Sequence, residues 1–221
     1  MTEHEKDILR TRYGHSKLLL LLHWGGRWIK TGLSRRAKIV VEGHDNKIPY
    51  QPKKCEIRVF GDNNVIDIDP TVITWQGIIS IGDRATPVHN CTVKIGKHSS
   101  AVGANFSLFE DSSSILVGES CMLSWGVYVW ATDRHSVFDQ NSKVLLNAGH
   151  NVTIGSHVWV GMHALILKNS YIADNCIVGA QAVVSKKFEE PGCVLAGNPA
   201  KVVKRGINWS PVRPKEYVVP R

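Results

Sequence analysis

The chain has 221 residues, 43% of them hydrophobic and 21% charged, which suits one packed domain with a small appendage and excludes wholesale disorder. Lys and Arg outnumber Asp and Glu by 27 to 19, a net charge of +8. That favours an anionic partner, but no basic stripe is interleaved with aromatics, which argues against a nucleic-acid module. In chain order, the first expected element is a helical cap over residues 3–30, within a capping segment 1–37. Leu18–Leu22 is its longest aliphatic run, far short of the ~20 residues that cross a bilayer. HWGGRWIK follows it, with no small-residue cleavage site, so it does not read as a secretory signal. A cytoplasmic location is expected, with at most peripheral membrane contact through Leu18–Leu22, Trp24 and Trp28.

A repeat begins near Lys38. KIVVEGHDN (38–46) and EIRVFGDNN (56–64) align at a shift of 18, placing Ile39 on Ile57, Val41 on Val59, Gly43 on Gly61 and Asn46 on Asn64. Ile66, Val72 and Ile78 keep a six-residue step, as do Val117, Leu123 and Val129. From Val152 the step is unbroken: Ile154, Val160, Ile166, Ile172, Val178 and Val184. Gly155, Gly161, Ala173 and Gly179 follow four of them, and Val158, Ala164, Ser170, Cys176 and Ala182 recur four positions on. A helix repeats at three and four and a flat strand at two, so neither explains six. A coil with three flat sides of six residues does, with one aliphatic residue inward per side and small residues at the corners. The predicted fold is an all-β solenoid over 38–190, about 30–35 Å tall at strand spacing. After Pro191 a C-terminal segment, 191–221, is expected to run as a helix and then an extended tail.

The six-step breaks between Val129 and Ile154, defining one inserted loop at about 131–151 that carries Asp133, His135, Asp139 and His150. A polar excursion from a regular scaffold is where function concentrates. An ordinary imidazole titrates near ~6.5, which makes His135 a candidate general base. Asp133, Asp139 or a backbone carbonyl is available to orient it. Trp125, Tyr128 and Trp130 precede the loop and offer either a sugar-stacking surface or an aromatic packing patch. Trp159 lies between Val158 and Val160, a position that faces outward. The five cysteines form no CxxC pair and no GxSxG elbow is present, so neither a disulfide framework, a structural zinc site nor an acyl-enzyme nucleophile is indicated.

With the repeat, the loop ATDRHSVFD (131–139), the block TIGSHVWVG (153–161) and the segment GCVLAGNPAKVV (192–203), the chain resembles the hexapeptide-repeat acyltransferases. Within them it is most similar to the capsule polysaccharide and polysialic acid O-acetyltransferases. The resemblance covers roughly 57–209. It implies a left-handed parallel β-helix, a winding that runs against the usual crossover rule. It also implies acetyl transfer from acetyl-CoA without a metal, a saccharide acceptor and a homotrimer with sites between prisms. On resemblance, His135 and Trp159 are the catalytic candidates. Met162, Ala180 and Ser185 match positions that line the pantetheine arm in related enzymes, the small pair Gly179-Ala180 would let that arm approach the backbone closely, and Lys201 and Lys204 match the basic residues expected at its phosphates. Ser107, Trp130 and Asp133 are the candidate acceptor-side residues. Ser107 departs from the family: related galactoside and maltose enzymes carry ANFN where this chain reads ANFS (104–107).

Two other classes remain open from the sequence: a metal hydratase of the γ-carbonic anhydrase type, and a non-catalytic binding solenoid. The hydratase needs three convergent histidines, and the nearest pair, His157 and His163, is six apart. Serine acetyltransferases share the DRH triplet but add a large helical domain for which this chain has no room.

Overall fold

The computed structural model describes residues 21–24, 27–30 and 38–216. All six residues of the unbroken repeat, Ile154 to Val184 in steps of six, are at most 1% exposed. They point inward from three ladders of parallel strands, each inward aliphatic contributing about 1.5–3 kcal/mol by burial.

The first face stacks Ile39–Glu42, Lys53–Phe60, Thr74–Ile81, Ala104–Leu108, Val127–Trp130, Leu165–Leu167 and Val183–Val184. The second stacks Val65–Ile68, Thr92–Ile95, Ser114–Val117, Asn151–Ile154, Ser170–Ile172 and Lys187–Phe188. The third stacks Ser100–Ala101, Met122–Leu123, Trp159–Val160, Ile177–Val178 and Val194–Ala196. Thr74–Ile81 bends across an edge, pairing Trp75 with Ala101 on the third face and Ile79 with Phe106 on the first. The chain winds from second face to third to first, giving a triangular prism.

The 18-residue alignment of the first coils is the true register: Ile39 pairs with Ile57 and Val41 with Val59. Asn46 and Asn64 stack as an amide ladder. Asn46 Oδ1 accepts from Asn64 N–H at 3.0 Å, and Asn64 Oδ1 from Cys91 N–H at 2.9 Å. Ile78 departs from the expected step: Trp75, Ile79 and Ile81 are the buried residues of that strand. Gly77, at φ +144, shifts its phase, and no side chain fits there because a Cβ would meet the Ala104 carbonyl oxygen at 1.8 Å.

The corners differ from the expectation too. His157, His163, Asn169, Asn175 and Gln181 hold left-handed backbone, φ 55 to 61, and make the turns. The small residues serve another purpose, letting coils approach closely. A Cβ on Gly161 would stand 2.7 Å from the Ala180 nitrogen.

Among the described residues three segments, not one, lengthen the second-face coil. Adjacent second-face strands are offset by 18 residues where the coil is regular (Val152 to Ser170), but by 27 from Val65 to Thr92, 22 from Thr92 to Ser114 and 37 from Ser114 to Asn151. The extra residues fall in 82–91, 109–113 and 131–150, all at the edge between the first and second faces.

Both ends of the ladder are closed by antiparallel strands, which blunt exposed edges. Leu21–Trp24 and Arg27–Lys30 form a hairpin paired onto Ile39–Glu42. This corrects the helical cap over these residues; the remainder of that expectation, 3–20 and 25–26, lies outside the described residues. Lys201–Lys204 folds back antiparallel on Val194–Ala196. The expected C-terminal helix is thus a strand, followed by a single 3-10 turn at Pro214–Glu216. A β-hairpin return continues the existing ladder's hydrogen bonds, which a helix at either end would leave unpaired.

Candidate functional site

The excursion 131–150 begins where Val127–Trp130 ends. Ala131 and Thr132 are buried, and Ala131 N–H donates to the Ser107 carbonyl at 3.0 Å. Thr132 Oγ1 donates to Glu110 Oε1 at 2.7 Å and accepts from Arg134 N–H at 2.9 Å. The Arg134 guanidinium donates to Asp83 Oδ2 at 2.8 Å and stands 4.0 Å over the Phe109 ring. Residues from all three excursions are therefore cross-linked. The Arg134 bond, with those from Thr86 and Ala85, holds the Asp83 carboxyl down at about 2.

Asp133 turns the other way. Its Oδ2 accepts from Lys168 Nζ and from Asn147 Nδ2, each at 2.8 Å. Burial raises this carboxyl, but the Lys168 and Asn147 bonds outweigh it and hold it below the usual carboxylate range. Lys168 also donates to the Asn147 carbonyl. Asp139 closes its own turn, accepting from Asn141 and Ser142 backbone N–H groups at 3.0 and 2.7 Å. Neither carboxylate orients His135. The His135 carbonyl accepts from Asn147 Nδ2 at 2.8 Å, while its exposed imidazole makes no hydrogen bond among the described residues. Beyond it Phe138 and Leu145 form an antiparallel bridge.

Ser107 and Trp130 are register partners on the first face, so they stand side by side, and His135 follows Trp130 by five residues. Trp130 is 38% exposed. The structure thus gathers Ser107, Trp130, Asp133 and His135 at one edge. Trp159 is on the third face, opposite that edge, partly exposed, with its Nε1 donating to Ser124 Oγ at 3.3 Å. Met162 and the Gly179-Ala180 pair occupy successive coils at the edge from third face to first, open to solvent. Lys201, paired with Ala196, lies toward that edge, and Lys204, paired with Val194, toward the other side of the third face. Ser185 follows Val183–Val184 and so falls at the excursion edge, apart from Met162 and Ala180.

Sequence reasoning missed Lys168, Asn147 and Arg134 as residues of this site. For Arg134 the TDRH motif was a signal; for Lys168 and Asn147 no spacing marked them. It also missed that Trp209 stacks on His157 (centroids 4.3 Å apart, 6° between planes), donates Nε1 to the His157 carbonyl at 2.7 Å, and lies 6.1 Å from Trp159. His163 sits edge-on to Trp125 at another corner. Among the described residues no three His, Cys, Asp or Glu side chains converge as metal ligands. The five thiols are buried. Burial pushes Cys55 up to about 12 and Cys121 up to about 11, so these two lack thiolate character.

A prism of six-residue sides with a clamped polar excursion at one edge is the left-handed parallel β-helix of the hexapeptide transferase class. Residues 151–186 match the family described as bacterial transferase hexapeptide (six repeats). A polysialic acid O-acetyltransferase of Neisseria meningitidis is 32% identical over 184 residues, covering 81% of this chain and 82% of that protein. The polysialic acid O-acetyltransferase of Escherichia coli O1:K1 / APEC is 32% identical over 118 residues, 53% of this chain and 38% of that protein, so the chain spans well under half of that relative. Among solved structures, the polySia specific acetyltransferase NeuO superposes with a TM-score of 0.69 at 26% identity, over 83% of this chain and 84% of that one. The polysialic acid O-acetyltransferase OatWY does so with 0.51 at 25% identity, over 77% and 90%. The chain belongs to the hexapeptide-repeat acetyltransferase family that these enzymes represent.

Proposed function

We propose that this chain is an acetyl-CoA-dependent O-acetyltransferase that acetylates a hydroxyl of an acidic bacterial surface polysaccharide, of the sialic acid type, or of its precursor. The observation that carries the reading is an unbonded imidazole on a clamped excursion, His135, in a chain similar over four-fifths of its length to a polysialic acid O-acetyltransferase. The acceptor hydroxyl gives its proton to the His135 ring as its oxygen attacks the thioester carbonyl carbon. The tetrahedral oxyanion then collapses, the carbon–sulfur bond breaks, and the imidazolium returns the proton to the departing thiolate. No thiol of the chain is needed as an acyl carrier. Ser107, Trp130 and Asp133 border the acceptor side.

The functional unit we assign is a homotrimer. In one prism the edge bearing His135 and the face bearing Trp159 are opposite, so one site holding both needs a second copy. The excursion's Val137, Phe138, Val144, Leu145 and Leu146 are 50–62% exposed, an apolar tip that requires covering. In that arrangement Trp159 Nε1, on leaving its long bond to Ser124 Oγ, is a donor for the oxyanion. The open edge at Met162, Gly179 and Ala180 takes the pantetheine arm, because small residues let it approach the backbone. Lys201 and Lys204 neutralise the donor's phosphates. We assign the cytoplasm as the compartment, since five unpaired buried thiols suit a reducing milieu.

The test is turnover of acetyl-CoA with polysialic acid as acceptor, followed by thiol release. His135→Ala is expected to lose about 10²–10⁴-fold in kcat, the typical contribution of a general base. Undiminished turnover by that variant would overturn the reading.

A further inference from the structure

Asn147 lies twelve residues beyond His135, on the returning arm of the same excursion. Its side-chain amide is fully used. Nδ2 donates to Asp133 Oδ2 and to the His135 carbonyl, both at 2.8 Å, and Oδ1 accepts from the Val137 N–H at 2.8 Å. Its backbone carbonyl accepts from Lys168, a side chain only 10% exposed that reaches in from the next coil and also holds Asp133. One amide thus ties down the residue two before His135, His135 itself, and the residue two after. None of these bonds touches the imidazole.

We infer that Asn147 is the positioning residue of the His135 ring, an inference that rests on reading His135 as the general base. The backbone at His135 lies outside the coil, where no ladder pairs it, so Asn147 and the Lys168 anchor take the place of the strand pairing that fixes the coil itself. Arg134 secures the excursion to its neighbours, but its side chain runs away from His135 toward Asp83 and Phe109. Only an amide performs this function. A carboxylate at 147 would lose both donors and face Asp133 with like charge.

The experiment compares wild type, Asn147→Ala, Asn147→Ser and Asn147→Asp, with and without His135→Ala, using acetyl-CoA and polysialic acid. Asn147→Ala is expected to lower kcat about 10–100-fold, the scale of a misplaced catalytic group, with KM for acetyl-CoA unchanged. In the His135→Ala background it is expected to cost nothing further, since a residue acting through another has no effect in its absence. Independently of turnover, the His135 ring C–H signal in 13C-histidine NMR is expected to be single and sharp in wild type, and broadened or doubled in Asn147→Ala. Asn147→Ser supplies the comparison if the alanine variant fails to fold. An unchanged kcat and ring signal, or an equal loss with and without the imidazole, would overturn the inference. If His135→Ala keeps its activity, the function proposed above fails, and the NMR comparison still decides this one.

Discussion

The Arg134 guanidinium lies 4.0 Å above the Phe109 ring, joining the residue beside the candidate base to the excursion of the preceding coil. The same guanidinium reaches Asp83 one coil further back. Lysine cannot replace it, because the planar fork both stacks and hydrogen-bonds. Arg134→Lys is expected to lower unfolding free energy by about 0.5–1 kcal/mol, the usual worth of such a contact at an exposed site. Urea denaturation monitored by tryptophan fluorescence measures it.

The depressed Asp83 carboxyl makes a prediction about acid. Its folded value, about 2, lies below the ordinary ~3.9 of an aspartate. The unfolded chain therefore binds this proton first as pH falls. The stability Asp83 contributes is fully present above pH ~4 and is lost as pH drops toward 2. Asp83→Asn should flatten the fall in urea midpoint between pH 4 and 2; an identical slope in both proteins would refute the assignment.

Ile166 is completely buried in the first-face ladder between Val129 and Val184. Ile166→Ala leaves a cavity that neighbouring coils cannot close without breaking register, and is expected to cost about 2–5 kcal/mol. The conservative Ile166→Val should cost about 0.5–1.5 kcal/mol. Thermal and chemical denaturation of the two variants check the order.

Trp209 holds the C-terminal segment to the third face by its stack on His157 and its bond to the His157 carbonyl. Trp209→Ala removes a pairing worth about 0.5–1.5 kcal/mol beyond area burial. Limited proteolysis after Lys204 or Arg205 is expected to accelerate, while the coil itself keeps its melting temperature.

Lys201 and Lys204 occupy opposite ends of one strand, and only Lys201 lies toward the edge carrying Met162 and Ala180. Lys201→Ala should raise KM for acetyl-CoA about tenfold, the equivalent of one charge-assisted bond of ~1.5 kcal/mol. Lys204→Ala should raise it less. Added salt should shrink the difference, because both side chains are exposed to screening.

Much of the coil was legible because stacking in register places each inward residue on its own copy, one coil away. That constraint writes a period into the chain, so Ile154 to Val184 announced themselves, and Ile39 and Ile57 gave the 18-residue register. The phase slipped at Ile78, where Gly77 and a long bent strand intervene. The left-handed corner residues, such as Asn169 and Asn175, were visible only as polar interruptions. The end caps misled, since an aliphatic run like Leu18–Leu22 suits a helix in isolation, whereas Leu21–Trp24 is strand beside an existing edge that offers unpaired hydrogen bonds.

By itself, then, the order of amino acids determined the prism, its core and the place where the chain leaves it, because repetition in space requires repetition along the backbone. The surroundings of His135 were decided by tertiary structure alone. Asp83, Phe109 and Arg134 converge because excursions of unequal length depart from one edge of stacked coils, and Asp133 and Asn147 meet Lys168 because the next coil turns at that same edge. Unequal lengths leave no period to read, so only the assembled stack brings those groups within hydrogen-bonding reach.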